Sequence, residues 1–66
     1  MKNSIKEERI KNSLTQITLA EKAAVSRQTI ISIETGKYIP STLLALKLAK
    51  ILGKKVDDLF SLEKDD

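Results

Sequence analysis

Helix start and stop signals recur at short intervals along this chain, whereas strand signals are weak. Thr15, Ser26 and Ser41 stand where N-caps are expected, each directly before a run whose apolar residues have helical spacing. Gly36 and Gly53 follow two of these runs, at the position where glycine commonly ends a helix. The predicted helices cover residues 5 to about 12, 16–23, 27 to about 34, 42–52, and 56 to about 60 or 62. The sequence therefore predicts an all-α fold of five short helices.

The size and composition of the chain restrict its chemistry. A chain of 66 residues forms one domain, residues 1–66, whose core supplies no more than roughly 3–5 kcal/mol of net stability. It has no cysteine and no histidine, so no disulfide can form and no zinc site is expected. We expect no metal, no cofactor and no catalytic residue, since the commonest general base is missing as well. Association of two copies is the remaining source of support, and a homodimer is expected.

The charges are divided unevenly along the chain. Residues 1–55 carry 11 basic and 4 acidic side chains, whereas residues 56–66 carry 1 and 5 and end in a short acidic tail over 61–66, which we expect to be frayed. A basic body attracts polyanions, although ordinary surface charge on a lysine-rich protein would give the same balance. The N-terminus lacks an apolar stretch, and the longest apolar run is residues 43–46. We therefore expect no membrane partner and a cytoplasmic, nucleoid-associated location.

The predicted second and third helices form a unit over residues 16–35. They are separated by about three residues, which is the spacing of a helix-turn-helix. Ala20 is small enough for a helix crossing, and Ile30 and Ile33 form a buried stripe on the second helix of the unit. The opposite face then carries Arg27, Gln28, Ile31 and Ser32. These side chains suit the base edges of a DNA major groove, although any surface helix has a polar outer face.

Several motifs together resemble one known family. They are Leu14-Thr15-Gln16, Leu19-Ala20, the segment 25–30, Ile33-Glu34 and Gly36-Lys37. This set is similar to the Cro and phage-repressor (XRE-type) helix-turn-helix family, from about Ile5 to Phe60. The later segments 37–41 and 44–49 resemble a subgroup of small stand-alone prokaryotic regulators. The resemblance implies a compact repressor-like domain that binds double-stranded DNA.

The resemblance also implies roles for particular residues. Those expected to face bases are Arg27, Gln28, Ser32 and Ile31. Those expected to approach phosphates are Gln16, Ser26, Thr29, Lys37 and Tyr38. Arg9 and Glu34 correspond to an ion pair that ties the first helix to the end of the recognition helix.

Three departures from the family pattern have structural consequences. Ala24 and Ser13 occupy positions where glycine is common, so a positive φ is expected at Ala24 at a cost on the order of 1 kcal/mol. Thr18 replaces the usual glutamate, so no capping box is expected at Thr15.

The apolar cluster Leu59, Phe60 and Leu62 lies at the end of a chain that we expect to be too small to bury it. We therefore place the predicted dimer interface there.

Two functions remain open at this point. The first is a sequence-specific DNA-binding regulator that acts as a two-fold dimer on a palindromic operator, most simply as a repressor. The second is an antitoxin-like or adaptor module that binds protein on the same scaffold, which exposed Ile17 and Ile31 would favour. An enzyme has no support, because the sequence shows no glycine-rich phosphate loop and neither histidine nor cysteine.

Overall fold

A computed structural model describes all 66 residues, which form five helices and two very short strands. In chain order the elements are β1 (Lys2–Asn3), α1 (Ile5–Lys11), α2 (Gln16–Ala23), α3 (Arg27–Glu34), α4 (Thr42–Leu52), α5 (Val56–Leu59) and β2 (Phe60–Ser61). The predicted five-helix architecture is confirmed, with bounds of α2, α3 and α4 that match the prediction. The last helix is shorter than expected, because Phe60 adopts an extended backbone.

The three predicted N-caps all form. The side-chain oxygens of Thr15, Ser26 and Ser41 each accept a hydrogen bond from the backbone N–H three residues later, at 3.0, 3.1 and 3.2 Å. Each bond satisfies one of the free donors at a helix start. Local sequence signals therefore fix where α2, α3 and α4 begin.

The first four helices also share one kind of C-terminus. A residue in the left-handed region follows each helix, namely Ser13, Ala24, Gly36 and Gly53, with φ of 57°, 58°, 77° and 67°. The next backbone N–H then donates to the carbonyl five residues earlier, over 2.9–3.0 Å in all four cases. The predicted positive φ at Ala24 is confirmed, and Ser13 shares it. A side chain in this region costs roughly 1–2 kcal/mol relative to the right-handed helix.

The core lies between α2, α3 and α4 and is closed by α1 and α5. Ala20 is buried at the crossing of α2 and α3, as the sequence predicts, and Val25 packs against the core from the turn. The largest fully buried side chains come from all five helices: Ile5, Leu19, Ile30, Ile33, Leu48 and Leu59. Contacts of α1 and α2 with α3 hold α3 in place against the core.

The two ends of the chain meet in an antiparallel pair of strands. Lys2 lies opposite Ser61 and Asn3 opposite Phe60. The amino terminus of Met1 also contacts the carboxylates of Glu63 and Asp66 at 2.9 and 3.0 Å. The expectation of a frayed acidic tail is therefore wrong. The sequence did not predict this pairing, because strands of two residues are too short to show alternation.

The terminal pairing overturns one premise of the predicted dimer interface. Leu59 is 1% exposed and Phe60 is 8% exposed within a single copy, whereas Leu62 is 80% exposed. The expectation that the chain is too small to bury this cluster is therefore wrong for Leu59 and Phe60. Because β2 pairs with β1, both side chains are held in the protomer's own core, and Leu62 alone is left outside.

Candidate nucleic-acid interface

The orientation of α3 separates a buried face from an exposed one. Ile30 and Ile33 are fully buried, and they turn the other side of the helix outward. Arg27 and Gln28 in the first turn are exposed. Ile31 and Ser32 are only half-buried, so Ile31 is less exposed than the sequence suggested. It directly follows Ile30, about 100° round the helix, and therefore lies beside the buried stripe.

The N-terminus of α3 is held by a pair of hydroxyl groups. Ser26 Oγ accepts a hydrogen bond from the Thr29 N–H at 3.1 Å, and the two side-chain hydroxyls lie 2.9 Å apart. One of the two hydroxyls donates to the other, which leaves one O–H group free to donate at the end of the helix where the dipole is positive. This arrangement fixes the backbone of the turn that carries Arg27 and Gln28.

A buried ion pair ties α1 to the end of α3. Arg9 Nε donates to Glu34 Oε2 at 2.7 Å, Arg9 Nη2 to Glu34 Oε1 at 3.3 Å, and Arg9 Nη1 to the Leu14 carbonyl at 2.9 Å. The Arg9 side chain is 11% exposed and that of Glu34 only 4%. The ion pair that the family resemblance implies is therefore present, and both of its side chains are largely buried. Two parallel bonds between guanidinium and carboxylate fix orientation as well as distance.

The ion pair continues into the proposed DNA-facing surface. Gln16 Nε2 donates to Glu34 Oε1 at 3.2 Å, and Gln16 Oε1 accepts from Arg27 Nη2 at 3.5 Å. Arg9, Glu34, Gln16 and Arg27 therefore form one chain of contacts across α1, α2 and α3. The family resemblance implies a phosphate contact for Gln16 but not this link, because the link depends on how α2 and α3 pack.

The remaining predicted contacts gather around the same helix. Ser26, Gln28, Thr29, Ser32 and Tyr38 line a shallow concavity of about 260 Å³. Its side chains are partly connected, since Gln28 Nε2 lies 3.4 Å from Ser32 Oγ.

The loop after α3 is fixed by backbone contacts. The Lys37 and Tyr38 N–H groups donate to the Ser32 carbonyl at 2.9 and 3.1 Å. These bonds hold the loop against the end of α3 and keep Tyr38 beside Ser32 in the concavity.

One residue with a role at this site was not predicted from the sequence. Asn3 Nδ2 donates to the Ile33 carbonyl at 2.8 Å, and Asn3 Oδ1 accepts from the Ile5 N–H at 3.1 Å. Asn3 thus joins β1 to the last turn of α3 while it caps the start of α1. An asparagine near a chain terminus gives no sequence signal for such a distant contact.

Other kinds of site are not found. No group of three or more His, Cys, Asp or Glu side chains lies close enough to hold a metal ion. None of the helices combines the length and apolar character required to cross a membrane. The concavities near α3 are open and partly polar, unlike the enclosed apolar pockets that hold small molecules.

Comparisons with known proteins agree with this architecture. Residues 5–59 match the family model described as helix-turn-helix. An HTH-type transcriptional regulator of Methanocaldococcus jannaschii is 54% identical over 66 residues, covering 100% of both chains. Another from Bacillus subtilis is 46% identical over 66 residues, also covering 100% of both. The solved structure of the restriction-modification controller protein C.AhdI from Aeromonas hydrophila aligns with a TM-score of 0.78 and 32% identity over 85% of each chain. The chain therefore belongs to the XRE-type helix-turn-helix family of DNA-binding transcription regulators.

Proposed function

We propose that this protein is a cytoplasmic, sequence-specific regulator that binds a palindromic operator as a homodimer. The observation that carries the proposal is the orientation of α3. Ile30 and Ile33 are fully buried, while Arg27 and Gln28 are exposed in the first turn. Recognition helices use their N-terminal residues for base contacts, so this orientation suits insertion into a major groove.

The side chains on the outer face suit direct contacts with bases. Arginine bonds bidentately to guanine O6 and N7, and glutamine does the same to adenine N6 and N7. Ser32 can bond to several base edges, and Ile31 can contact a thymine methyl group with its exposed part. We assign Arg27 and Gln28 the principal base contacts, because they are the most exposed of the four.

A second set of side chains suits the phosphate backbone. Gln16, Ser26, Thr29, Lys37 and Tyr38 surround the helix and offer amide, hydroxyl or ammonium donors. Lys37 lies in the loop beyond α3, where its side chain can reach a phosphate but has no route to a base edge. Such contacts fix register and affinity without carrying sequence information.

Occupation of the operator is the simplest route from binding to regulation. A protein bound over a promoter excludes other proteins from the same DNA, so we propose repression. A two-fold dimer would place two copies of α3 in successive major grooves, about 34–36 Å apart.

The contrast between Arg27 and Lys37 tests the proposal. Arg27→Ala should cost about 1–3 kcal/mol per half-site on a duplex selected from a random pool, and much less on random duplex. Lys37→Ala should weaken both by similar factors and lower the slope of log K against log salt by about one for each phosphate that is no longer neutralised. Fluorescence anisotropy at several salt concentrations measures both. Equal losses for Arg27→Ala on selected and random duplex would show that Arg27 does not read sequence.

One observation favours a second candidate, a protein-binding adaptor or antitoxin-like module. Ile17 is 54% exposed on α2, although the half-buried Ile31 adds little apolar surface beside it. A gel-shift titration separates the two functions. Failure to bind any duplex, including the protein's own upstream region, would favour the adaptor.

A further inference from the structure

The backbone at the C-terminal end of α3 is fixed by two kinds of contact. The Ser32 carbonyl accepts from the N–H groups of Lys37 and Tyr38, which belong to the following loop. The next carbonyl, that of Ile33, accepts from the side-chain amide of Asn3 at 2.8 Å. Asn3 is the one residue outside α3 and its loop that hydrogen-bonds to the backbone at this end of the helix. A distant segment of the chain therefore holds the turn from which the loop departs.

Asn3 is itself anchored on both sides. Its Oδ1 accepts from the Ile5 N–H at 3.1 Å, and its backbone lies opposite that of Phe60 in the strand pair. The next residue, Ser4, donates its N–H to the Leu59 carbonyl at 2.9 Å. Ile5, Leu59 and Phe60 are all buried in the core. The amide of Asn3 is therefore a fixed point from which the last turn of α3 is held.

The two bonds of the Asn3 side chain require an uncharged amide. An amide donates through its nitrogen and accepts through its oxygen, whereas a carboxylate only accepts. An aspartate at this position could still accept from the Ile5 N–H, but its second oxygen would face the Ile33 carbonyl and repel it. A serine hydroxyl could also accept from that N–H in a local turn, but it is too short to reach the Ile33 carbonyl. Substitution can therefore remove the bond to α3 and keep the bond to α1.

We propose that Asn3 is a positioning residue for DNA binding, which sets where the Lys37–Tyr38 loop stands by fixing the last turn of α3. The inference rests on the proposed function, because that function assigns phosphate contacts to Lys37 and Tyr38. Asn3 acts through the loop, since its own amide is hydrogen-bonded within the protein. A shift of the last turn would move the loop as well, because both of the loop's N–H groups are bonded to the Ser32 carbonyl.

The N-terminal end of α3 should depend much less on Asn3. It is held by the Ser26 cap and by the contact between Gln16 and Arg27, neither of which involves the first residues of the chain. Arg27 also lies about 9 Å before Ile33 along the helix axis, at a rise of about 1.5 Å per residue. Loss of the Asn3 bond should therefore displace the loop that contacts phosphates and leave the first turn, which faces the bases, in place.

A residue that only stabilised the fold would affect DNA binding differently. Its removal would lower the free energy of unfolding, but the folded molecules would bind DNA with unchanged affinity and unchanged salt dependence. A positioning role instead predicts weaker binding by fully folded protein, with the loss confined to the contribution of the loop. A double-mutant cycle with Lys37 separates the two roles, because residues that act through one contact are not additive.

Fluorescence anisotropy with the whole chain tests the proposal. Asn3→Ser should weaken binding about 5-fold on the selected duplex and about equally on random duplex, because phosphate contacts carry no sequence information. In the Lys37→Ala background the further loss should fall to about 2-fold, the part contributed by Tyr38, whereas in the Arg27→Ala background it should stay at about 5-fold. The slope of log K against log salt should fall in Asn3→Ser, since the phosphate near Lys37 is less well neutralised.

Asn12→Ser is the matched control. Asn12 Nδ2 donates to the Glu8 carbonyl at 2.7 Å, so this variant removes an equally short bond between an amide and a helix carbonyl, but from α1. It should bind both duplexes like the wild type. Far-UV circular dichroism verifies that each variant is folded. If Asn3→Ser is unfolded, Asn3→Asp is measured in its place, with Lys2→Gln as the control for the loss of one unit of positive net charge.

Hydrogen exchange without DNA gives a readout that is independent of the proposed function. The Lys37 and Tyr38 amides should exchange about 5-fold faster in Asn3→Ser than in the wild type. The Thr29 amide, which is bonded to Ser26 at the other end of α3, should exchange at an unchanged rate. If the wild type bound no duplex but this pattern of exchange was observed, the proposed function would be wrong and the placement of the loop by Asn3 would stand.

Three results would overturn the proposal. The first is a folded Asn3→Ser variant that binds DNA within about 2-fold of the wild type. The second is a loss that is as large in the Lys37→Ala background as in the wild type. The third is an equal loss in Asn12→Ser, which would show that removal of any such bond weakens DNA binding.

Discussion

The α2–α3 turn and the α4–α5 turn have almost the same backbone but different consequences. Ala24 has φ 58° and ψ 42°, and Gly53 has φ 67° and ψ 34°. In each case the following N–H donates to a carbonyl five residues earlier at 3.0 Å. The next helix then begins after an extended residue, Ser26 with ψ 156° or Lys55 with ψ 155°. The chain thus contains the same turn twice.

The two turns differ in what surrounds them. In the first, Val25 packs against the core and Ser26 caps α3 with its hydroxyl. In the second, Lys54 is exposed, and the side chain at the N-cap of α5 makes no capping bond. Instead Asp58, inside α5, accepts a hydrogen bond at its Oδ2 from the Lys55 N–H at 3.3 Å. The helix α3 then extends for 8 residues, whereas α5 ends after 4. Turn geometry alone therefore does not define a recognition helix; its length and outer face do.

The helices after the two turns are also fastened by different ion pairs. The buried Arg9–Glu34 pair holds the end of α3. The segment after α5 is held by the exposed amino terminus of Met1, which contacts Glu63 and Asp66. Burial decides how much each pair contributes, because a pair in water gains little and a broken buried pair leaves a charge without solvent.

The largest expected effect comes from breaking the buried pair. Glu34→Ala should destabilise the domain by about 3–5 kcal/mol, because it leaves the Arg9 guanidinium buried without its carboxylate. Urea denaturation at neutral pH measures this. Lys11→Ala is the control, since the Lys11–Glu8 contact of 3.4 Å involves a 70% exposed lysine and should contribute little. A loss below about 1 kcal/mol for Glu34→Ala would show that the network tolerates an unpaired arginine.

A smaller effect is expected when the residue of positive φ in each turn is changed to the residue type found in the other turn. Ala24→Gly should stabilise the domain by about 1 kcal/mol, and Gly53→Ala should destabilise it by a similar amount, because both positions require a positive φ. A Cβ at Gly53 would meet no atom within 4 Å, so the change tests backbone strain without steric overlap. Thermal denaturation of both variants and of Ala23→Gly, a helical control that should lose stability, checks the comparison. If both variants shifted the melting temperature in the same direction, the explanation by backbone strain at positive φ would be wrong.

The two turns also differ in how far the sequence could predict the structure around them. The α2–α3 unit is specified locally: Thr15 and Ser26 cap its helices, and Ile30 and Ile33 have helical spacing. Its bounds could therefore be predicted without the rest of the chain. The end of the chain depends on contacts with β1, nearly sixty residues away, and no local pattern marks them. For that reason the burial of Leu59 and Phe60 was missed.

The candidate site divides in the same way. The exposure of Arg27 and Gln28 follows from the position of the buried stripe on one helix. The link from Glu34 through Gln16 to Arg27 joins two helices and requires their packing angle, which the sequence does not contain. The pairing of Arg9 with Glu34 could be proposed only from the family resemblance.

The smallest expected effect concerns the surface contacts between the Met1 amine and the carboxylates of Glu63 and Asp66. Hydrogen bonds from the Met1 amine to Glu63 and then Asp66 raise the pKa of that amine above its usual 8.0. A hydrogen bond from the Glu63 backbone N–H and, to a smaller extent, one from the Met1 amine lower the pKa of Asp66 below its usual 3.8.

The amine, whose pKa is raised on folding, contributes stability below pH 8.0 that is lost as pH rises through its folded pKa. The lowered carboxyl contributes above pH 3.8 and loses its contribution as pH falls through its folded pKa. Both groups lie at the molecular surface, so screening by water should leave the free energy of global unfolding unchanged within error.

The readout for this last prediction is local. Amide chemical shifts of Lys2 and Ser61, which face each other across the strand pair, should titrate with a midpoint above pH 8.0. Glu63→Gln should move that midpoint down toward 8.0, because it removes the largest cause of the shift. Lys64→Gln, an exposed neighbour that contacts neither group, should leave it in place. A wild-type midpoint at or below 8.0 would mean that the amine is not held by the tail. The strand pair between β1 and β2 and the buried Phe60 side chain would then hold the segment after α5, in contrast to the buried ion pair that holds α3.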